Sequence, residues 1–229
     1  MKIAIMQPYL FPCIGYYQLV RCVDKFVVYD DVNYIKRGYI NRNYILDKGC
    51  RRRFTVPVPG ASIHKKISEL TFSGEIESIL EGIRHAYAKA PFFEEIFPLI
   101  RNVFEGEDRS ISAVCSDGIN EVFGYLGMVP DVSFSSQLGY DRRFSGAEKL
   151  MAICDVLDSR HYVNSIGGQA LYKKEYFSSK GVDISFLKSR EIRYAQGGSQ
   201  FVANLSMIDV LMWCSKTNVT TLLDEYDLV

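Results

Sequence analysis

The chain has 229 residues, 27 Lys and Arg against 27 Asp and Glu, and is 48% hydrophobic. Those values describe an ordinary globular chain, able to bury roughly 70% of its unfolded surface, and exclude collagen-like, disordered and repetitive classes. A formal net charge of zero argues against a general nucleic-acid binder.

The opening MKIAIMQPYLFP holds only four residues, IAIM, between Lys2 and Gln7, whereas a secretion signal needs an apolar run of ~7–15. No window approaches the ~18 apolar residues of a membrane helix. A cytoplasmic chain without membrane insertion is therefore expected. KIAIM (2–6) predicts a strand, the stretch from about Ile14 to Val23 a helix, and KFVVY (25–29) a second strand. Strand, helix and strand in thirty residues predict a parallel βαβ unit. Residues 30–50 read as a long polar and aromatic loop, and RFTVPV (53–58) as a strand. From Glu75 to Gly124 the pattern is helical, with Pro91 as a breaker and Ser110 as an N-cap. Beyond Pro130, strands at 131–135, 161–165 and 183–187 alternate with helices at 146–157, 171–179 and 206–214. The expected fold is one α/β domain over 1–229. It has a Rossmann-like, nucleotidyltransferase-like parallel sheet, helices on both faces, and a mainly helical insertion at about 75–130.

The six cysteines have no CxxC spacing, and Cys22, Cys154 and Cys214 fall in apolar helical patterns. Buried free thiols are expected, and neither a structural zinc nor a disulfide framework. Cys13 stands at a helix start, where a thiolate is favoured, but its neighbours are apolar and it reads as structural.

In open parallel sheets, ligands bind beyond the carboxyl ends of the strands. That rule selects four segments. In QPYLFP (7–12), Gln7 offers an amide and Tyr9 a phenol, or the prolines simply shape a turn. In DDVNYIKRGYINRNY (30–44), Asp30 and Asp31 can hold Mg²⁺ beside a phosphate, or cap a turn or pair with Arg37. Lys36, Arg37, Asn41 and Arg42 alternate there with Tyr34 and Tyr39, a pattern suited to a phosphorylated ligand that carries a ring. Nine Lys/Arg and one acid, Asp47, lie between 36 and 66. Of these, Arg51-Arg52-Arg53 reads as a solvated face. In PGASIHKK (59–66), His64 is either a general base or merely exposed; His85 and His161 look structural. In NSIGGQALY (164–172), Asn164, Gly167 and Gly168 can receive a phosphate or carboxylate at a helix start, or form a tight turn. QGGSQ (196–200) reads as a flexible turn near the site. No P-loop, GxGxxG, GxSxG or HExxH motif occurs.

Taken together, IAIMQPYLFPCIGYYQLV, DKFVVYDDVNYIKRGYINRNYIL, FTVPV, YAKAPFF, YVNSIGG and FVANLSMIDVLM resemble the WbqC-like family along nearly the whole chain. Members are often encoded among genes for O-antigen and other surface polysaccharides. The resemblance implies a cytosolic step in making or decorating a nucleotide-linked sugar. Where Cys13 stands, the family pattern usually has an aromatic. The opening also looks like that of pantothenate synthetase, but Pro12-Cys13-Ile14-Gly15-Tyr16 lacks that enzyme's histidine motif.

Three readings follow. The first is an acyl or aminoacyl transferase acting on a nucleotide-linked amino sugar. Here Lys36, Arg37 and Arg42 hold the diphosphate, Tyr34 or Tyr39 stacks, His64 or Asp30 takes the proton, and Gln7 and Asn164 orient the acyl oxygen. Acyl-CoA is the candidate donor. The second is an amide ligase using ATP with Mg. The third is a non-catalytic sugar-binding or assembly protein. Phe92, Phe93 and Phe97 serve either the core or the face of a homo-oligomer.

Overall fold

A computed structural model describes residues 1–197 and 200–229. The opening unit is β1 (Lys2–Met6), α1 (Ile14–Cys22) and β2 (Lys25–Val28), with β1 and β2 parallel from Ile3 opposite Lys25 to Met6 opposite Val28. The segment expected to be a loop instead forms an antiparallel hairpin, β3 (Arg42–Asp47) and β4 (Cys50–Thr55). Its turn uses Lys48 and Gly49, both at positive φ. The strand expected at 53–58 ends at Thr55, before Pro57, which has no N–H to pair.

Three helices follow: α2 (Glu77–Tyr87), α3 (Phe93–Glu105) and α4 (Ile111–Tyr125). Pro91 separates the first two. Ser110 caps α4 by accepting from Ala113 N at 3.3 Å, as its position predicts. Then come β5 (Val132–Phe134), α5 (Gly146–Val156), β6 (His161–Ser165), α6 (Lys174–Ser178), β7 (Asp183–Ser189), α7 (Met207–Trp213), α8 (Lys216–Leu223) and β8 (Tyr226–Leu228). The helix expected from Leu171 is only the short α6; Ile166–Ala170 forms a 3₁₀ turn.

Six strands make one sheet in the order β5-β2-β1-β6-β7-β8. The first five are parallel, and β8 joins β7 antiparallel. The expected α/β class holds, with an antiparallel edge on an otherwise parallel sheet. Alternation along the strands splits the core in two. Ala4, Phe26, Val28, Val163 and Leu187 face a larger cluster that takes in α1 to α4, α7 and α8. Ile3, Ile5, Val27, Tyr162 and Ile184 face a smaller one with α5 and α6. Helices thus cover both faces. The strand order reverses between β1 and β6, and in such sheets the carboxyl ends part there to leave a crevice.

Phe93 and Phe97 stack with ring centroids 5.0 Å apart, and both pack on the larger cluster. Among the described residues no helix is long and apolar enough to cross a membrane.

Candidate functional site

The loop between β1 and α1 sets the geometry of that crevice. Phe11 adopts φ +40°, an unusual backbone state for a bulky side chain. Two side chains hold it there: Asn43 Nδ2 and Ser206 Oγ each donate to the Phe11 carbonyl at 2.6 Å. Asn43 also donates to the Leu10 carbonyl at 3.1 Å, and Met207 N to that of Pro12 at 2.8 Å. The hairpin and α7 therefore shape the loop, and the loop delivers the chain into α1 at Ile14.

Cys13 gives α1 no side-chain cap, and its first turn carries no acid. The first N–H groups of a helix lack intrahelical acceptors and carry partial positive charge. This end, with Gly15, borders a crevice of ≈ 400 Å³. Tyr9, Tyr16 and Tyr39 line one side, with ring centroids 5.7 Å apart for Tyr9 and Tyr16 and 6.0 Å for Tyr9 and Tyr39. Tyr16 OH is fixed by donation to the Gln7 carbonyl at 2.9 Å. Burial and the neighbouring Tyr39 raise the Tyr9 phenol, which keeps it a donor at neutral pH. Arg51 enters from β4, its guanidinium 3.7 Å from the centre of the Tyr44 ring.

A second cavity, ≈ 550 Å³, adjoins the first and shares Cys13, Gly15, Ser189 and Asn204 with it. Arg190, Glu191, Arg193 and Tyr194 line it. The segment that walls it is tied to the core by the buried Asp209. Tyr87 OH donates to one carboxylate oxygen at 2.7 Å; Tyr194 OH (2.6 Å) and Gln196 Nε2 (2.7 Å) donate to the other. Gln196 then clasps Val202, accepting from its N at 2.8 Å and donating to its carbonyl at 3.0 Å.

Asp30 and Asp31 lie apart from this crevice, beyond β2. Asp30 is buried and accepts from Ser112 Oγ (3.0 Å), Ser136 N (2.9 Å) and Ser136 Oγ (2.8 Å), with Ser135 Oγ 3.1 Å away. Asp31 accepts from Ser135 Oγ at 2.6 Å and from Tyr140 and Arg142. Lys149 Nζ sits 3.2 Å from its carboxylate and donates to its backbone carbonyl at 2.9 Å. Burial pushes the Asp31 carboxyl up, but hydrogen bonds from Ser135 and Tyr140 and the Lys149 charge outweigh it, so the net shift is downward. Burial is also the main influence on Lys149, whose ammonium is lowered despite Asp31. The ion pair considered for this loop exists, but its partners are Arg142 and Lys149, not Arg37.

The other expected residues separate into groups. Tyr9 and Tyr39 line the crevice. Gln7 is half-buried above β1 and contributes its carbonyl to Tyr16. Asn41 is spent within the hairpin, donating to the Val56 carbonyl at 2.8 Å. Tyr34 is buried, which raises its phenol, with Arg42 pulling it back down. Lys36 and Arg37 are exposed, and Arg37 has φ +67°. His64 is exposed, its N donating to Ser62 Oγ at 3.2 Å. Asn164 is buried and accepts from Ser165 N at 2.7 Å. Gly168 lies so close to Asn164 that a Cβ would stand 2.7 Å from its amide nitrogen, whereas Gly167 has open space. Within QGGSQ, residues 198 and 199 lie outside the described residues.

Sequence reasoning missed Asp209, read Arg51 as part of a solvated face, and noted Asn43 and Gly15 without giving either a firm role. The roles of Asn43 and Arg51 were hidden because the hairpin was read as a loop. The remaining clue was the Lys48-Gly49 turn between two runs of six residues.

A model of the WbqC-like protein family matches residues 7–221. The chain is also 26% identical over 215 residues to a protein of Mycobacterium tuberculosis (strain ATCC 25618 / H37Rv) described as uncharacterized protein Rv1507c, covering 92% of each chain. No solved structure matched.

Proposed function

This chain belongs to the WbqC-like protein family, and from that premise we propose that it serves the biosynthesis of a surface polysaccharide such as O-antigen, transferring an acyl or aminoacyl group to a nucleotide-linked amino sugar. The observation that carries this reading is the two-part crevice at the strand-order reversal, with the uncapped end of α1 between its halves. A diphosphate matches that end, where free N–H groups and the helix dipole favour an anion. Arg51 supplies the cation beside it, in the role first expected of Lys36, Arg37 and Arg42. Tyr9 and Tyr39 offer ring faces for the base or the sugar.

Among the described residues that line the two halves, Glu191 in the second is the one carboxylate. The acceptor amine is assigned there. In the transfer, the amine nitrogen attacks the acyl carbonyl and a C–N bond forms. With an acyl-CoA donor the C–S bond breaks, the thiolate leaves, and the amine proton passes to a base. Glu191 is the candidate base within the crevice. His64 lies on an exposed loop, and Asp30 is already held by Ser112 and Ser136.

A thermal-shift screen of the full chain against dTDP-, UDP-, GDP- and CDP-linked amino sugars tests this, with acetyl-CoA and Mg-ATP as separate arms. A ligand at a hundred times its dissociation constant adds about 2.7 kcal/mol. The expected result is a shift with one nucleotide sugar that Arg51→Ala reduces. A shift with Mg-ATP alone would replace this reading with an ATP-dependent amide ligase. No shift with any arm would favour a non-catalytic assembly role.

A further inference from the structure

A third cavity, ≈ 640 Å³, opens between α4, the loop after β2 and the turn after β5, and shares no lining residue with either half of the crevice. Its floor is Asp30, with the Ser112 and Ser136 hydroxyls donating to it. One wall is a face of α4 bearing Ser116, Asp117 and Asn120, and Asp108 also lines the cavity. Ser116 is 4% exposed, yet its hydroxyl has no hydrogen-bond partner among the described residues and faces the cavity. Among the described residues, no Lys, Arg or His lines the space. Asp108 and Asp117 both line the cavity at its exposed side; partial burial raises the Asp117 carboxyl and the charge of Asp108 raises it further, and among the described residues neither acid has an ion-pair partner.

A cavity that gathers carboxylates, hydroxyls and amides, with no base to neutralise them, complements a ligand carrying both a positive charge and hydroxyl groups. A protonated amine relieves the repulsion between Asp108 and Asp117. Hydroxyls of the same ligand can pair with the Ser116 hydroxyl, which lines the cavity, and with the Asn120 amide. We propose that this cavity is a binding site for an ammonium-bearing polyol, of which a free amino sugar is the simplest form, with the amine on Asp117 and Asp108 and the hydroxyls on Ser116 and Asn120. The proposal does not rest on the transferase reading, because the two sites share no residue.

The test is titration of the full ¹⁵N-labelled chain with D-glucosamine, N-acetyl-D-glucosamine and D-glucose, followed by NMR and calorimetry. Glucosamine is expected to bind saturably and to shift the amides of residues 108–120. Both neutral analogues should bind about tenfold or more weakly, since each lacks the charge-assisted contact. Asp117→Asn should weaken glucosamine by about tenfold and Ser116→Ala by about fivefold, whereas Arg51→Ala should change nothing. The proposal is overturned if glucosamine does not saturate, if it binds no better than glucose, or if the shifts map to the crevice. The comparison of three sugars on the wild-type chain decides the matter even if a variant fails to fold.

Discussion

Asp31 and Asp209 are both buried carboxylates, and each anchors a segment at the ligand-facing edge of the sheet. Asp31 anchors the loop after β2; Asp209 anchors the wall that includes Tyr194 and Gln196. Burial is the largest influence on both and acts in the same direction. The outcomes are nonetheless opposite: Asp31 is lowered and Asp209 raised. Asp31 has two cations, Arg142 and Lys149, among its partners. The partners of Asp209, namely Tyr87, Tyr194 and Gln196, are neutral. At Asp31 the hydrogen bonds from Ser135 and Tyr140 together with the Lys149 charge outweigh burial, whereas at Asp209 neutral donors alone offset only part of it.

The comparison breaks most visibly at Asp31. Asp31→Asn leaves Lys149 buried without its counter-charge and should destabilise the chain by about 3–5 kcal/mol, measured by urea unfolding. Adding Lys149→Met should recover part of the loss, with a coupling of about 1–3 kcal/mol. If the two changes are simply additive, Arg142 and the serines carry the brace and Lys149 is incidental.

At Asp209 the same substitution should cost less, about 1–3 kcal/mol, because one amide oxygen still accepts while the donors facing the new NH₂ lose their acceptor. A loss equal to that of Asp31→Asn would remove the distinction between charged and neutral braces.

The pH dependence sharpens the contrast, since its sign differs at the two sites. The Asp31 carboxyl is lower in the folded chain, so its stabilisation is present above the ordinary value of 3.8 and is lost as pH falls toward the folded one. The Asp209 carboxyl is higher in the folded chain, so its contribution is greatest below 3.8 and declines as pH rises through the folded value. Stability profiles of Asp31→Asn and Asp209→Asn should each lose one of these slopes and keep the other.

The smallest effect is expected at a residue in neither brace. His64→Ala, on an exposed loop, should change stability by no more than about 0.5 kcal/mol. Any loss of the proposed transfer activity in that variant would then report on chemistry and restore His64 as the proposed base.

Legibility in the sequence followed contact distance. KIAIM and KFVVY are apolar runs bounded by polar residues, so their own composition marks them as buried parallel strands. Ser110 shows itself as a cap because its partner, Ala113 N, is three residues away. The hairpin was obscured because RNYILD and CRRRFT hold five Arg and Asp residues among twelve, which masks the alternation. The aromatic wall of the crevice was half visible: Tyr9 and Tyr39 could be singled out, but not that their rings meet. Residues beyond Cys214 held two more elements, α8 and β8, with little patterning to announce them.

Local pattern by itself determined the α/β class, the parallel opening unit and most of the helices, because a strand or helix is built from neighbours whose spacing is written in order. The resemblance to a family likewise rested on ordered motifs. Only the tertiary structure decided which cation faces the crevice and which partners hold each carboxylate. Tyr87 and Asp209 are separated by 122 residues, and Lys149 reaches the Asp31 carbonyl across 118. Such pairs are selected by the packing of whole elements, where a buried charge or hydroxyl must find a partner or the fold is penalised. That requirement acts on the assembled core, and no window of adjacent residues contains it.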